Sequence, residues 1–221
     1  QLNNSLRSLG CEISSNKVPF TILGPIKYKK FELESKVSSQ PLSAMILASP
    51  FLDEIMEIDI NDERVSRGYV ELTKNLAESC GIEIIENKKK IIINAKRFEL
   101  PEIIEIPQES SLIPIALLLS ELHGVNLQLP YDKDKDFLYD GITMLKEKKY
   151  QLIDLTDYSD FVTPVCALLA IKNGGMITGI SHARGKETDR IENTKNLLND
   201  FGMICEIIGD EITITGSQMP I

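Results

Sequence analysis

"LAESCGIEII" (residues 76–85) passes from a helical pattern through a glycine into a β-type run. Leu76 and Cys80 lie about one helical turn apart, Gly81 suits the left-handed position that closes a helix, and the isoleucines beyond it favour a strand. The same passage occurs twice more: "LRSLGCEI" (residues 6–13) turns at Gly10, and "LLNDFGMICEII" (residues 197–208) turns at Gly202. In chain order, a second β-type run follows each ending: "FTILG", "KKIIINA" and "DEITITG". A degenerate fourth copy, "FLYDGITMLKEKKYQLIDL" (residues 137–155), lacks the closing glycine and has a shortened hairpin.

Other helices lie between these endings, each expected to follow a strand. "QPLSAMILASP" (residues 40–50) carries Leu42, Met45 and Ile46 on one side. "GYVELTKNLAESC" (residues 68–80) places Tyr69, Leu72, Thr73, Leu76 and Cys80 on one face. "SLIPIALLLSELHG" (residues 111–124) and "FVTPVCALLAIKNG" (residues 161–174) are mostly apolar, which predicts burial. The unit reads β-α-β-α-β-β and recurs after about 70 residues, then more closely, as stacked supersecondary units do. The class is α/β (α+β). A domain boundary is expected near "EIIEIPQESS" (residues 102–111), where a strand gives way to Pro107 and a polar turn.

Bulk properties narrow the function. Hydrophobic residues make up 43% and charged residues 26%, a folded and soluble composition. A formal net charge of −9 argues against a general nucleic-acid binder, since phosphate backbones would be repelled. Any anion must be held locally, against the overall charge. The longest apolar run, "IPIALLLSEL", is too short to span a bilayer. Cys11, Cys80, Cys166 and Cys205 are scattered, so neither a metal cluster nor a redox pair is expected, and a reducing cytoplasm is the simplest home. The chain opens on Gln1, in what reads as a helix already under way and without a leader pattern, so it is expected to be part of a longer protein.

Small polar residues mark the helix starts: Ser38, Ser39 and Gln40; Ser66 and Arg67; Ser110 and Ser111; Ser159 and Asp160; and 186–189. Two readings stand side by side. Such residues cap helices by accepting hydrogen bonds from the first-turn amides. Alternatively, several helix N-termini converge and hold a multiply charged anion through their amides and dipoles. The run "ISHARGKETDRIENTKNLL" (residues 180–198) bears on the choice. A helix beginning near Glu187 would bury Ile191, Thr194, Leu198 and Phe201. If helical geometry extends back to Lys186, that residue and Arg190 share a face at the first turn, where cations oppose the dipole unless an anion is bound. The simpler account is a surface Glu187–Arg190 pair.

"SSQPLSAMILASP" (residues 38–50), "SRGYVELT" (residues 66–73), "SDFVTPVCALLA" (residues 159–170) and "KETDRI" (residues 186–191) occur in this order. Together they resemble the 5-enolpyruvylshikimate-3-phosphate synthase family, also called 3-phosphoshikimate 1-carboxyvinyltransferases. The resemblance implies two domains of β-α-β-α-β-β units, with helix N-termini facing a cleft. It implies transfer of the enolpyruvyl group of phosphoenolpyruvate to the 5-hydroxyl of shikimate 3-phosphate, with release of phosphate and no metal or organic cofactor. Residues 1–103 would belong to the domain that binds shikimate 3-phosphate. Residues 104–221 would belong to the second domain, which carries the acid/base and phosphoenolpyruvate residues. A monomeric, cytoplasmic parent enzyme is expected, with no nucleic-acid or membrane partner.

The family's site residues carry over onto matching positions. Ser38, Ser39 and Gln40 would bind shikimate 3-phosphate, with Gln40 also near phosphoenolpyruvate. Ser66 and Tyr69 would contact the shikimate phosphate, and Lys186 would be a further ligand of that substrate. Asp160 matches the carboxylate that takes the proton of the attacking hydroxyl. Glu187 matches an acid/base group beside the methylene carbon, and Arg190 a clamp on phosphoenolpyruvate. The types suit the chemistry: hydroxyls hold phosphate without adding charge, and a guanidinium fork fits carboxylate or phosphate.

This sequence departs from the family pattern at several points. Gly68 stands where proline is usual, and the segment around residues 146–150 lacks a full strand pair. His182 stands where a polar amide often contacts substrate; an exposed loop histidine is the other reading. The family's N-terminal lysine-serine-arginine motif, its glycine-rich asparagine segment and following arginine, its aspartate-histidine-arginine motif and its final lysine have no counterpart here. The 221-residue polypeptide is therefore expected to be inactive by itself. A non-catalytic binding module on the same fold, and the related UDP-N-acetylglucosamine enolpyruvyl transferase, are the alternatives.

Overall fold

The computed structural model describes residues 2–52, 55–60, 63–106, 110–129, 136–146 and 152–221. The chain divides into two compact units, Gln1–Ile104 and Glu105–Ile221. In the first, α1 (Leu2–Ser8) leads through Gly10 into an antiparallel hairpin of β1 (Glu12–Ile13) and β2 (Ile22–Leu23). A full repeat follows: β3 (Lys30–Glu32), α2 (Gln40–Ala48), β4 (Met56–Asp59), α3 (Arg67–Ser79), β5 (Glu83–Asn87) and β6 (Lys90–Asn94). The strands lie in the order β3-β4-β6-β5, with β3 parallel to β4 and the remaining pairs antiparallel. Period-two alternation sorts the faces. Met56, Ile58, Ile91 and Ile93 are buried in one core with Leu42, Met45 and Ile46 of α2. Glu57 and Lys90, each next to a buried residue of its strand, pair at 2.8 Å on the wetter face. Each fully buried aliphatic side chain contributes roughly 1.5–3 kcal/mol, so the core outweighs that surface pair many times over.

The second unit opens with α4 (Ile113–His123) and α5 (Tyr139–Lys146). It then repeats the pattern as β7 (Leu152–Asp154), α6 (Val162–Ile171), β8 (Gly174–Thr178), α7 (Arg190–Asp200), β9 (Cys205–Ile208) and β10 (Glu211–Thr215). Its strand order, β7-β8-β10-β9, has the same parallel and antiparallel pairings as the first sheet. The expected repeat is therefore real at the level of topology. In each unit the two parallel strands leave the sheet at the same end, so both following helices begin at that end. Those helices are also joined by hydroxyls: Ser43 to Thr73 at 2.9 Å between α2 and α3, and Thr163 to Thr194 at 2.7 Å between α6 and α7.

Gly10, Gly81 and Gly202 all have the expected positive φ, at 92°, 79° and 71°. The apolar helix α6 is buried as expected, whereas α4 is not: Ile115, Leu119 and Leu122 are exposed, because α4 packs on α6 and α5 along one side only. The buried stripe of α3 is rotated from the expected face. Cys80 is buried as expected, but Val70 and Ala77 turn inward and Leu76 turns out, since α3 packs on α2 around the Ser43–Thr73 bond. Residues 102–106 form no strand and α5 follows none among the described residues; β-branched isoleucines without a paired neighbour have no ladder to join. The expected fourth hairpin falls partly on residues 147–151, outside the described residues, and the strand after them, β7, opens the last repeat instead. No helix among the described residues is long and apolar enough to cross a membrane.

Candidate active site

In the second unit, β7 leads to a tight 3-10 turn, Ser159–Phe161, that carries Asp160. Fully buried Phe161 anchors that turn and stacks on Tyr158 with ring centroids 5.5 Å apart. The parallel neighbour β8 leads to a second such turn, Ser181–Gly185, and then to Lys186, Glu187 and Arg190. Arg190 joins the two loops: its Nη1 donates to Asp160 Oδ1 and its Nη2 to Glu187 Oε2 at 3.2 Å. Burial works against the charge of Arg190, but Asp160 and then Glu187 outweigh it and raise its pKa. A backbone hydrogen bond, and then Arg190, hold Glu187 below the usual carboxylate range.

The helix start differs from expectation. α7 begins at Arg190, with Asp189 as its N-cap accepting from the amides of Ile191 and Glu192. Lys186 is extended (φ −80°, ψ −159°), because the 3-10 turn ends there. The cations therefore do not share a helical face, and Phe201, past the helix end, is exposed. The Glu187–Arg190 pair exists, yet Asp160 joins it from another loop, so protein carboxylates already offset the cation that opposes the dipole. Lys186 is half-buried; burial, and then repulsion from Arg190, lower its pKa. The cluster can bind an anionic group at Lys186 and Arg190 while holding two carboxylates beside it for proton transfer.

His182 is buried, not exposed, and its Nε2 has no hydrogen-bond partner among the described residues. Burial, followed by the charge of Lys186, lowers its pKa to about 4 from 6.5. Between those values the unfolded chain takes up a proton that the folded chain does not. The stability contributed by neutral His182 is full above the unfolded value and is lost as pH falls through the folded one. Lowering pH from about 7 to about 5 should cost the wild type about 2 kcal/mol more than it costs His182→Asn. Urea unfolding at the two pH values measures that difference; equal pH dependence in both proteins would refute it.

In the first unit, the corresponding helix starts hold Ser38, Ser39, Gln40, Ser66 and Tyr69. Ser39 and Ser66 are buried N-caps of α2 and α3, yet neither makes a side-chain capping bond. Ser38 Oγ accepts from the Gln40 amide at 3.2 Å instead. Ser66 is left-handed at φ 55°, a conformation that costs a non-glycine residue roughly 1–3 kcal/mol and that gathers at binding sites. Thr73 donates to the Tyr69 carbonyl and meets Ser43 of α2, which ties the two helix starts together. Capping thus accounts for Asp189 and in part for Ser38, but not for Ser39 or Ser66.

A family model described as EPSP synthase (3-phosphoshikimate 1-carboxyvinyltransferase) matches residues 1–111, half of the chain. The chain belongs to the EPSP synthase family. A 3-phosphoshikimate 1-carboxyvinyltransferase of Methanosarcina acetivorans is 28% identical over 98% of this chain and 57% of its own length. Proteins of the same name from Caldivirga maquilingensis (27% identical; 98% of this chain, 57% of the relative) and Clostridium novyi (27%; 92% and 52%) are comparably similar. The chain thus spans a little over half the length of the curated relatives it matches. The solved structure of EPSP synthase from Acinetobacter baumannii has the same fold, with a TM-score of 0.68 at 15% identity over 99% of this chain and 56% of that one.

Within this member of the EPSP synthase family, the structure gathers the expected site residues into two sets. Arg190 touches both Asp160 and Glu187, with Lys186 beside them in the second unit. Ser38, Ser39 and Gln40 lie at the start of α2, and Ser66 and Tyr69 at the start of α3, in the first. Sequence reasoning missed the two hydroxyl bridges, whose only signal is a threonine or serine on an otherwise apolar helix face. It also missed Arg184, whose partners Gly209 and Asp210 lie too far along the chain for any local spacing to report. Among the described residues, no group of His, Cys, Asp and Glu could hold a metal ion.

Proposed function

We propose that the protein carrying this chain transfers the enolpyruvyl group of phosphoenolpyruvate to the 5-hydroxyl of shikimate 3-phosphate in the cytoplasm, as a monomer without a cofactor. The observation that carries the proposal is the Asp160–Arg190–Glu187 cluster at the end of a parallel strand pair, where open α/β sheets bind ligands, in a chain of this family. Residues 1–103 form part of the domain that binds shikimate 3-phosphate. Ser38, Ser39, Gln40, Ser66 and Tyr69 hold that substrate there, with Gln40 also near phosphoenolpyruvate. Residues 104–221 form part of the domain that carries the reacting groups.

There Lys186 meets shikimate 3-phosphate, and Arg190 grips phosphoenolpyruvate. The methylene carbon takes up a proton, with Glu187 as the acid/base group beside it, which leaves its neighbour cationic and stabilised by nearby carboxylates. Asp160 takes the proton of the 5-hydroxyl as its oxygen bonds to that cationic carbon. Loss of a proton from the new methyl group and departure of phosphate then give the enolpyruvyl ether. The test is phosphate release by the full-length natural protein. Release that requires both shikimate 3-phosphate and phosphoenolpyruvate is expected. Absence of turnover with this pair, or turnover with UDP-N-acetylglucosamine in place of shikimate 3-phosphate, would defeat the proposal.

A further inference from the structure

Arg184 lies in the turn just before Lys186, and one guanidinium there joins three parts of the second unit. Its Nη1 donates to Asp189 Oδ2 at 2.9 Å and to Glu192 Oε1 at 3.4 Å. Its Nε donates to Asp210 Oδ1 at 2.9 Å and its Nη2 to the Gly209 carbonyl at 3.0 Å, both in the turn between β9 and β10. Asp189 divides its carboxylate: Oδ1 accepts from the Ile191 and Glu192 amides at 3.1 Å each, and Oδ2 is held by Arg184. The Arg184–Asp189 bond therefore closes residues 184–189 into a ring that contains Lys186 and Glu187. Arg190 is the next residue, and its direction is set by the cap that Arg184 grips.

Exposed ion pairs are usually worth little because two long side chains must be ordered for one contact. Arg184 differs, because a single planar fork meets four acceptors fixed by a helix start and a hairpin turn. Asp210, then Asp189, raise its pKa further, so its charge is constant across any working pH. A lysine offers a point charge and no fork, and cannot span both anchors in the same geometry.

We propose that Arg184 is a positioning residue, acting through Asp189, that holds the 186–190 turn in the geometry needed to grip phosphoenolpyruvate. The inference rests on the functional reading above. It concerns a residue that would touch neither substrate. Its loss should weaken phosphoenolpyruvate more than shikimate 3-phosphate, which the serines of the first unit also hold.

The test uses the full-length natural protein with Arg184→Ala and Arg184→Lys, and reads hydrogen exchange and steady-state kinetics. Arg184→Ala should speed exchange of the Ile191 and Glu192 amides about tenfold, with the rest of α7 little changed. It should raise KM for phosphoenolpyruvate about tenfold and KM for shikimate 3-phosphate less than about threefold. Arg184→Lys should recover less than half of either loss. A role in folding alone would lower the active fraction, and so kcat, while leaving both KM values unchanged. Wild-type exchange at Ile191 and Glu192 in Arg184→Ala, or faster exchange with both KM values unchanged, overturns the proposal. If the wild type turns over neither substrate, the functional reading fails, and the exchange result alone decides whether Arg184 holds the turn.

Discussion

Asp160→Asn in the full-length protein should lower kcat roughly 10²- to 10⁴-fold, the usual contribution of a positioned general base. The amide keeps an oxygen that can accept from Arg190 but cannot take the proton of the attacking hydroxyl. KM for phosphoenolpyruvate should therefore stay within about threefold of wild type, because the clamp is still oriented. Asp160→Ala removes both functions. Among the described residues, Arg190 then keeps Glu187 alone, exposed and three residues away on its own loop, as an ion-pair partner. KM for phosphoenolpyruvate should rise in that variant as well as kcat falling. The pair of substitutions separates chemistry from orientation at one position. A kcat within about fivefold of wild type in Asp160→Asn would remove Asp160 from the role of base.

The fold was legible because its signals are local. A helix closed by glycine and followed by two β-branched runs recurs at Gly10, Gly81 and Gly202, and each glycine adopts the conformation that its position requires. What escaped the sequence depends on neighbours that are remote in the chain. Leu76 has the right spacing for a core face, but Val70 and Ala77 pack inward, because α2 lies there and helical periodicity does not say where the partner helix is. "EIIEI" (residues 102–106) is rich in β-branched isoleucine like a strand, yet a strand exists only if another offers its hydrogen-bonding edge. The site divides the same way. Glu187 and Arg190 are three apart, and their pairing could be read directly; Asp160 reaches the same guanidinium from thirty positions away, through the parallel pairing of β7 and β8. His182 looked like a loop residue because its burial comes entirely from tertiary packing.

Gly81→Ala should destabilise the first unit by about 2–5 kcal/mol, more than the left-handed conformation alone accounts for. The closing turn bonds as a helix terminator should: Ile82 N donates to Ala77 O at 3.1 Å, and Gly81 N to Glu78 O at 3.0 Å. Holding that geometry at φ 79° costs an alanine roughly 1–2 kcal/mol. An added Cβ would also stand 2.3 Å from the Arg97 carbonyl oxygen. That oxygen belongs to backbone pinned on both sides, since Phe98 N donates to Ala95 O at 3.1 Å and Glu99 N to Cys80 O at 2.8 Å. Relief requires moving a chain segment and not merely a flexible side chain. Gly124 supplies the control. It closes α4 at φ 61°, and a Cβ there meets nothing within 4 Å. Gly124→Ala should therefore cost only the conformational part, about 1 kcal/mol. Urea unfolding of both variants, followed by hydrogen exchange in α3 and α4, separates the two contributions. Equal losses at the two glycines would mean that the chain from Arg97 to Glu99 yields freely, and that the tight crossing over the end of α3 does not help hold the first repeat together.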